Sequence, residues 1–358
     1  MLATASVRID SLTKRFGDFT AVDDVSLEIG SGEFFTLLGS SGCGKTTLLR
    51  IVAGFLRQSA GSVRFGERVI DHVPAHRRNT GMVFQNYAIF PHLSVTQNIA
   101  YGLRARGLAR AEIERRVARM LEMTRLAAFA ARKPRELSGG QQQRVVLARA
   151  VVIEPDVLLM DEPLSNLDAE MRIHLRGEIR ALQRQIGVTT IYVTHDQEEA
   201  LSLSDRIAVM RAGKVEQIGS PHAVFNEPET RFVAGFIGES NFLPARRLGA
   251  DGGRVVFETV GGRRIAVPTS RVRGDGARFM LAFRPHHVRL APDAALAGAL
   301  ADTVYSGTAV RHAIDLGDGV RLSALMLSLP GAPSLPIGST LSFDVPPDAI
   351  TAFPDSGP

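Results

Sequence analysis

The chain has 358 residues, of which 45% are hydrophobic and 22% are charged, and its formal net charge is +5. This length predicts two to three domains with sizeable cores, and the mild, mixed charge excludes a basic nucleic-acid-binding tail. The single cysteine, Cys43, excludes an intramolecular disulfide and favours a reducing compartment. No apolar run approaches the roughly 18 residues that a membrane-spanning helix needs, and the first residues do not read as a signal peptide. We therefore expect a soluble or membrane-peripheral protein.

Helix-like and strand-like stretches alternate over the first two thirds of the chain, which predicts an α/β fold with a largely parallel sheet. Short strands are expected at residues 7–12 and 25–29, and a buried strand at 34–38 is followed by a helix over 46–53 that Gly54 ends. Residues 88–155 are predicted to be helix-rich, with a capping box at 94–97. Further strands are expected at 157–160, 191–193 and 207–210.

A glycine-rich loop lies between the first buried strand and the helix after it. Its sequence, Gly39-Ser40-Ser41-Gly42-Cys43-Gly44-Lys45-Thr46, fits the phosphate-loop pattern G-x-x-x-x-G-K-[ST] and is followed by Thr47. Glycines let backbone amides turn toward phosphate, and the helix offers its positive N-terminal end. We expect Lys45 to reach the β- and γ-phosphates of ATP and the Thr46 hydroxyl to ligate Mg²⁺. For Cys43, a small packing residue is the preferred interpretation and a redox role is the alternative.

Two carboxylates follow another apolar strand, in Val157-Leu158-Leu159-Met160-Asp161-Glu162. This arrangement places them at the C-terminal edge of the sheet, where α/β proteins bind ligands. Phosphoryl transfer needs both charge neutralisation and positioning of the nucleophile. We therefore expect Asp161 to hold Mg²⁺ and Glu162 to polarise the attacking water.

A second candidate anion site is Leu137-Ser138-Gly139-Gly140-Gln141, at the start of a predicted helix. One chain that binds one nucleotide has little use for two phosphate-binding loops. The simplest hypothesis is that Ser138, Gly139, Gly140 and Gln141 bind the γ-phosphate held by another subunit. The alternative is an ordinary helix cap.

Together these motifs resemble those of the nucleotide-binding subunits of ATP-binding-cassette (ABC) transporters, whose signature the segment 137–141 matches. The resemblance implies a P-loop NTPase with a RecA-like core and a helical subdomain. It also implies that Phe16 stacks on adenine, that Gln85 contacts the metal and the attacking water, and that His195 contacts the γ-phosphate. Ser165 to Asp168 match the D-loop, so Asp168 joins the residues that act across the dimer.

Within this family, the stretches 84–103 and 194–200 look like those of polyamine, ferric-iron and phosphonate importers. That likeness implies an ABC domain over 1–237, a C-terminal all-β domain of OB-fold (TOBE) type over 240–353, and a disordered tail at 354–358. Short β-like runs after residue 240 agree with it. His286 and His287 follow Arg284-Pro285, where an exposed turn is the preferred interpretation and a metal site the alternative.

The resemblance further implies a homodimer that sandwiches ATP and Mg²⁺. Its partners would be two transmembrane permease subunits and, indirectly, a periplasmic or lipid-anchored solute-binding protein, with the chain at the cytoplasmic face of the membrane. No basic cluster is interleaved with aromatics, so no nucleic-acid partner is expected. General similarity favours polyamine cargo, while ferric iron and phosphonate stay open. The alternatives are a soluble ABC ATPase of repair or translation and a P-loop kinase or helicase.

Overall fold

The computed structural model describes residues 4–292, 294–330 and 335–355. The chain divides into two compact units, Met1–Pro221 and His222–Pro358. The elements of the N-terminal unit follow in the order Val7–Phe16 (β1), Phe19–Ile29 (β2), Phe34–Gly39 (β3), Lys45–Ala53 (α1), Ala60–Phe65 (β4), Arg68–Val69 (β5), Thr80–Val83 (β6), Val95–Ala105 (α2), Arg110–Met123 (α3), Gly139–Val151 (α4), Val157–Asp161 (β7), Ala169–Ile186 (α5), Thr189–Thr194 (β8), Gln197–Leu203 (α6), Arg206–Arg211 (β9) and Lys214–Gly219 (β10).

The central sheet of this unit has the strand order β10-β9-β3-β8-β7-β6. Every pairing in it is parallel except that of β10 with β9. Successive residues of β7 enter opposite cores, since Val157 and Leu159 lie in one cluster and Leu158 and Met160 in the other. A sheet covered on both faces explains why these strands read as continuous apolar runs.

One of the two cores joins the central sheet to a second, antiparallel sheet of order β2-β1-β4-β5. Helix α1 packs in this core through Leu48, Leu49 and Ile51. The other core lies beneath α2, α4 and α5, so the helix-rich segment covers the opposite face of the central sheet. Helix α1, which follows the phosphate loop, thus lies on one face of the central sheet. Helix α4, the signature helix, begins within the signature segment (residues 137–141) and lies on the other face.

The predicted helix boundaries are confirmed where they depend on caps. Gly54 takes a left-handed conformation (φ 84°) and its N–H closes the end of α1. Ser94 and Gln97 form a capping box at the start of α2. Among the described residues, none of the helices has the length and apolar character needed to cross a bilayer.

The C-terminal unit begins with two short helices and continues as antiparallel strands. Its elements are Pro221–Asn226 (α7), Arg231–Phe236 (α8), Asn241–Asp251 (β11), Arg254–Thr259 (β12), Arg264–Pro268 (β13), Arg278–Phe283 (β14), Arg289–Leu290 (β15), Leu296–Tyr305 (β16), Ala309–Asp315 (β17), Arg321–Leu327 (β18), Thr340–Asp344 (β19) and Thr351–Pro354 (β20).

These strands form two five-stranded sheets, of order β13-β12-β11-β14-β20 and β15-β19-β16-β17-β18. Alternate residues of both sheets build one shared core, in which Phe257 and Phe279 of the first sheet and Ile314 and Phe343 of the second are almost fully buried. The rings of Phe257 and Phe279 meet edge to face with 5.1 Å between their centroids. This arrangement agrees with the predicted all-β domain.

Both ends of this domain differ from the predicted ends. Residues 222–237 belong with the C-terminal unit, because Ala234 packs against Ala282 and Phe353. At the other end, the prediction of a disordered tail is wrong for Pro354, which pairs with Phe279 in the sheet. The same holds for Asp355, whose N–H donates to the Arg278 carbonyl. Residues 356–358 lie outside the described residues.

Candidate functional site

The phosphate loop connects the end of β3 to the start of α1, as the pattern requires. Gly44 precedes the helix with a φ of 104°, and a Cβ there would lie 2.3 Å from the Ala21 carbonyl oxygen, so only glycine fits. The first turn of α1 carries no acidic side chain. Ser40, Ser41 and Gly42 are exposed. The loop therefore presents backbone amides and the positive end of a helix to solvent, which suits an anion.

Lys45 is almost completely buried beneath this loop. Its Nζ donates to the carbonyl oxygens of Gly39 (2.8 Å) and Ser40 (2.9 Å) and lies 3.7 Å from Cys43 Sγ. The loop's own carbonyls thus hold the ammonium beside the turn where the pattern places phosphate. Cys43 is 3% exposed and belongs to the core under α1, which agrees with the packing interpretation. Thr47 is half-buried in the first turn of the helix.

Thr46 and Asp161, both predicted to ligate Mg²⁺, are brought together. The Thr46 hydroxyl donates to Asp161 Oδ1 over 2.9 Å, from the first turn of α1 to the end of β7. Burial raises the pKa of Asp161, while the Thr46 hydroxyl and the positive charge of Arg50 partly oppose this rise. A buried carboxylate with a hydroxyl beside it is an oxygen donor set that Mg²⁺ prefers. The pair fits the predicted metal role.

Glu162 and His195 are also neighbours, with 3.2 Å between Glu162 Oε2 and His195 Nδ1. Glu162 has a left-handed backbone (φ 44°) directly after β7, and its N–H donates to the Val193 carbonyl. A non-glycine residue in this conformation is strained, and such strain is common where a catalytic side chain must be aimed. Ser165 Oγ donates back to the Glu162 carbonyl and fixes the turn.

Behind His195, a cluster of ion pairs joins two helices. Asp196 caps α6 by accepting from the Glu199 N–H, and its other carboxylate oxygen accepts from Arg172 and Arg176 of α5, each over 3.3 Å. Arg176 also pairs with Glu198. The position of the loop that carries His195 is therefore tied to α5. Sequence reasoning missed both arginines, although their spacing of four residues places them on one helix face.

A second buried group supports the same loop from inside. The Glu199 carboxylate accepts from the hydroxyls of Tyr192 (2.7 Å) and Thr194 (2.8 Å), which both lie at the C-terminal end of β8, two residues apart. Burial raises the pKa of Glu199 and, more strongly, that of Tyr192. This network fixes the residue immediately before His195.

The segment Ser138–Gln141 forms the start of α4. Ser138 Oγ accepts from the Gln141 N–H, and the Gln141 side chain accepts from the Ser138 N–H, so the cap is a complete capping box. Gly140 is buried against Met171, since a Cβ at Gly140 would lie 2.6 Å from its Sδ. In the described part of the chain, no hydrogen bond joins this segment to the phosphate loop.

The residues predicted to act across a dimer lie close to one another. A Cβ at Gly139 would lie 3.3 Å from Leu167 Cδ2, so the signature segment lies against the D-loop. Asp168 follows as the cap of α5, where it accepts from the Met171 N–H. Ser138, Gly139 and Asp168 are all exposed. One face of the unit thus presents both segments to solvent.

Gln85 follows β6 and is exposed. Its backbone carbonyl accepts from Asn166 Nδ2 over 2.9 Å, which links this segment to the residues just before Asp168. Arg149 of α4 donates to the carbonyls of Tyr87 and Ala88, two residues with positive φ. Neither Asn166 nor Arg149 was assigned a role from the sequence. Both act on main-chain oxygens, for which a sequence carries no signal.

Phe16 ends β1 and is 47% exposed, as an aromatic platform for a base would be. Lys14 Nζ lies 4.8 Å from the centroid of its ring and donates to the Arg57 carbonyl. Phe16 stays about half exposed beside this contact. Its predicted contact with adenine stays a prediction.

Family comparisons agree with this arrangement. Residues 22–165 match the ABC transporter family model, and residues 281–353 match that of the TOBE domain. The chain is 48% identical over 323 residues to the spermidine/putrescine import ATP-binding protein PotA of Rubrobacter xylanophilus, covering 89% of this chain and 86% of that protein. The chain therefore belongs to the ATP-binding subunits of ABC importers, which hydrolyse ATP to drive transport.

Two further relatives extend over almost the whole chain. The spermidine/putrescine import ATP-binding protein PotA of Pseudomonas aeruginosa (strain UCBPP-PA14) is 45% identical over 353 residues, 97% of this chain and 95% of its own length. The Fe(3+) ions import ATP-binding protein FbpC of Fusobacterium nucleatum is 40% identical over 357 residues, 99% and 95% of the two chains. The comparison thus extends through the C-terminal unit.

Solved structures match about 60% of the chain. A dimeric ATP-binding cassette in a post-hydrolysis state with ADP and Pi is 30% identical, with a TM-score of 0.53, and covers 60% of this chain and 98% of its own. The cbiO1 protein of the Clostridium perfringens transporter complex cbiONQ is 31% identical, with a TM-score of 0.59, covering 63% and 92%. The predicted class, an α/β P-loop NTPase with a C-terminal all-β OB-fold-like domain, is confirmed.

Proposed function

We propose that two copies of this chain form a homodimer with two composite ATP sites. The observation that carries this proposal is the exposed face on which Ser138, Gly139 and Asp168 lie together. Their hydrogen bonds stay within their own helix caps, so the anion-binding end of α4 is available to a partner's nucleotide. The solved relative with ADP and Pi is dimeric, which supports the same arrangement.

Within each site, Phe16 would stack on adenine, and the loop Gly39–Thr47 would hold the phosphates through its amides and Lys45. Thr46, Asp161 and Gln85 would hold Mg²⁺, which supplies neutralising charge for the phosphates when bound. Glu162 would polarise the attacking water, and His195, 3.2 Å from it, would contact the γ-phosphate. Ser138, Gly139, Gly140 and Gln141 of the partner would complete the site.

Mixed dimers test this composite site. Lys45→Ala removes the phosphate ligand in one chain, and Ser138→Arg blocks the signature segment in the other chain, so in a mixed dimer both defects fall in the same site. Each pure variant should be inactive, but a mixed dimer contains one site in which both residues are intact, so mixing should restore ATPase activity. The matched control is the Lys45→Ala chain alone at the same total protein concentration, and it should stay inactive. Absence of any rescue would overturn the shared-site model.

We further propose that two transmembrane permease subunits dock on the segment after Gln85, at the cytoplasmic face of the membrane. Support comes from the backbone of this segment, which Asn166 holds from the D-loop and Arg149 from the signature helix. Closure of the dimer around ATP would move all three segments together. A solute-binding protein would act indirectly, through the permease.

The cargo that we propose is a polyamine such as spermidine or putrescine. Two PotA relatives at 45–48% identity favour it. The FbpC relative, at 40% identity over 99% of this chain, makes ferric iron the second candidate.

Reconstitution decides between the two. The chain is placed in lipid vesicles with its co-encoded permease and binding protein, and ATP hydrolysis is measured with spermidine, putrescine, ferric iron or no solute. Stimulation by the polyamines alone supports the proposal, whereas stimulation by ferric iron alone overturns it. Glu162→Gln serves as the control for transport-linked hydrolysis. Full activity without any membrane partner would instead favour a soluble ABC ATPase.

A further inference from the structure

A cavity of about 350 Å³ lies within the C-terminal unit, between its two short helices and the strands β14, β15 and β20. Six ionisable side chains line it, and all of them except the last are basic: His222, Arg271, Arg284, His287, Arg289 and Asp348. Asp348 is exposed and is the one acidic residue among the described residues that line the cavity. The cavity therefore carries a net positive charge.

Arg284 supplies part of this charge from a buried position, being 4% exposed. Its Nη1 donates to the carbonyls of Ala234 and Ile237, and its Nη2 donates to the Phe225 carbonyl over 2.7 Å. Its Nη1 also donates to the Glu239 carbonyl and the Ser240 hydroxyl, so these hydrogen-bond acceptors are all neutral oxygens. Burial lowers the pKa of Arg284 to about 10. A buried cation without an anionic partner is costly.

The side chain of His287 also lines the cavity and has a polar atom without a hydrogen-bond partner among the described residues. Its Nδ1 is buried and has no hydrogen-bond partner. Burial lowers the pKa of His287, and the positive charges of Arg284, Arg271 and Arg289 lower it further. These positive charges therefore converge on the side chain of His287, which lines the cavity.

The two adjacent histidines suggested a metal site as one alternative. Within the described residues, no group of three or more His, Cys, Asp or Glu side chains is placed to hold a metal ion. Arg271 and Arg289 would also repel a cation. The surroundings of the histidine pair therefore suit a ligand of the opposite charge.

We propose that this cavity binds a small oxyanion of the phosphate class, held by Arg271, His287 and Arg289. Guanidinium groups match phosphate oxygens in geometry and charge, and an imidazole nitrogen adds a further donor. The cavity is larger than inorganic phosphate, so a phosphorylated small molecule also fits. The site is separate from the nucleotide-binding loop, because every residue that lines it belongs to the unit that starts at His222.

A single-tryptophan reporter makes the site measurable in the full-length protein, because the sequence contains no tryptophan. Phe225 lines the cavity, and its ring lies 4.4 Å from the Arg284 guanidinium, a contact that Phe225→Trp retains. Fluorescence is followed while inorganic phosphate or glucose 6-phosphate is added at constant ionic strength. We expect a saturable change, which Arg271→Gln with Arg289→Gln weakens about tenfold or more.

Arg254→Gln is the matched control, because this arginine is exposed on β12 and does not line the cavity. It should bind phosphate as the parent does. Tighter binding of glucose 6-phosphate would identify an organic ligand, and equal binding would identify free phosphate. If the double variant responds as the parent does, or if potassium chloride reproduces the change, the proposal is overturned.

A second measurement avoids the reporter. The increase in melting temperature caused by phosphate is compared between the unmodified chain and the Arg271→Gln, Arg289→Gln variant. Both proteins keep the same nucleotide-binding loop, so any shift that arises there is common to the two. We expect a smaller shift in the variant. An equal shift would place phosphate at the nucleotide site and overturn the proposal.

Discussion

Glu162 Oε2 lies 3.2 Å from His195 Nδ1, across the gap between the ends of two neighbouring parallel strands, β7 and β8. The strained backbone of Glu162 and the ion pairs behind His195 hold both side chains in this position. The groups expected to act on water and on the γ-phosphate are therefore paired by the fold itself. Little reorganisation should be needed when ATP binds.

Glu162→Gln is expected to preserve ATP binding and to lower kcat by about 10²–10⁴-fold, the usual contribution of a general base. The amide keeps the size and the hydrogen bonds of the side chain but cannot accept a proton. ATP affinity and steady-state hydrolysis, measured on the same preparation, check this prediction. The variant should also accumulate as an ATP-bound dimer in size-exclusion chromatography. Hydrolysis at the normal rate would remove Glu162 from the proposed role.

Asp196→Asn tests whether the ion pairs behind His195 matter for turnover. Asparagine retains the cap of α6 but loses the charge that pairs with Arg172 and Arg176. We expect kcat to fall roughly tenfold, the effect of about 1.4 kcal/mol in the transition state, with little change in KM.

The control for this variant is Arg110→Gln, which removes an exposed ion pair with Glu114 on α3 and should leave kcat unchanged. Equal kcat values for Asp196→Asn and the parent would show that the loop holds His195 without these arginines.

The sequence predicted the strands that carry the site because those strands are buried on both faces. They are also followed by recognisable residues, the glycine-rich loop after β3 and the two carboxylates at the end of β7. The sequence also located Gly54 and Ser94, whose roles depend on local backbone geometry. It did not predict the link between Asn166 and Gln85, because a side chain that binds a carbonyl 81 residues away leaves no local pattern. The strand at Pro354 was missed for the same reason, since β20 forms only by pairing with the distant β14.

Asn166→Ala tests whether this link transmits the state of the nucleotide to the permease. The substitution removes the hydrogen bond to the Gln85 carbonyl at an exposed position, so stability should change by less than about 1 kcal/mol. We expect nearly normal ATPase activity of the isolated chain but weaker stimulation in reconstituted vesicles with permease and binding protein. Arg254→Ala, at an exposed position of the C-terminal unit, is the control. Identical stimulation of Asn166→Ala and the parent would exclude the coupling role.

Asp161→Asn should separate stability from activity. Burial raises the pKa of Asp161, which means that the ionised carboxylate is disfavoured in the folded chain without ligand. The folded state then binds protons more readily than the unfolded state, so this group adds stability as pH falls toward its raised pKa. The neutral amide removes that penalty at pH 7 and should raise the melting temperature without nucleotide.

The same variant should lose Mg²⁺-dependent hydrolysis, because the amide is a poorer ligand for a hard cation. Calorimetry without nucleotide and ATPase assays with Mg²⁺ check the two halves. Thr46→Val is the matched control, since it removes the hydroxyl that donates to Asp161 and leaves the charge in place. It should lower both stability and activity. A lower melting temperature for Asp161→Asn would contradict the inferred penalty.

Arg284 is expected to be the most sensitive single position for the stability of the C-terminal unit. Its guanidinium joins the helices α7 and α8 to β14 through the carbonyls of Phe225, Ala234 and Ile237. Arg284→Met keeps much of the side-chain volume but leaves several buried acceptors without a donor. Each such acceptor costs about 1–3 kcal/mol, so the free energy of unfolding of this unit should fall by at least about 3 kcal/mol.

Differential scanning calorimetry of the full chain measures this effect, and Arg254→Met at an exposed site is the control. Nucleotide binding by the N-terminal unit serves as an internal reference, because the substituted contacts all lie within the unit that begins at His222. We expect ATP affinity to be retained while the transition of the C-terminal unit moves to lower temperature. If Arg284→Met and Arg254→Met melt alike, then water or other donors satisfy those carbonyls, and Arg284 does not hold the two helices on the sheet.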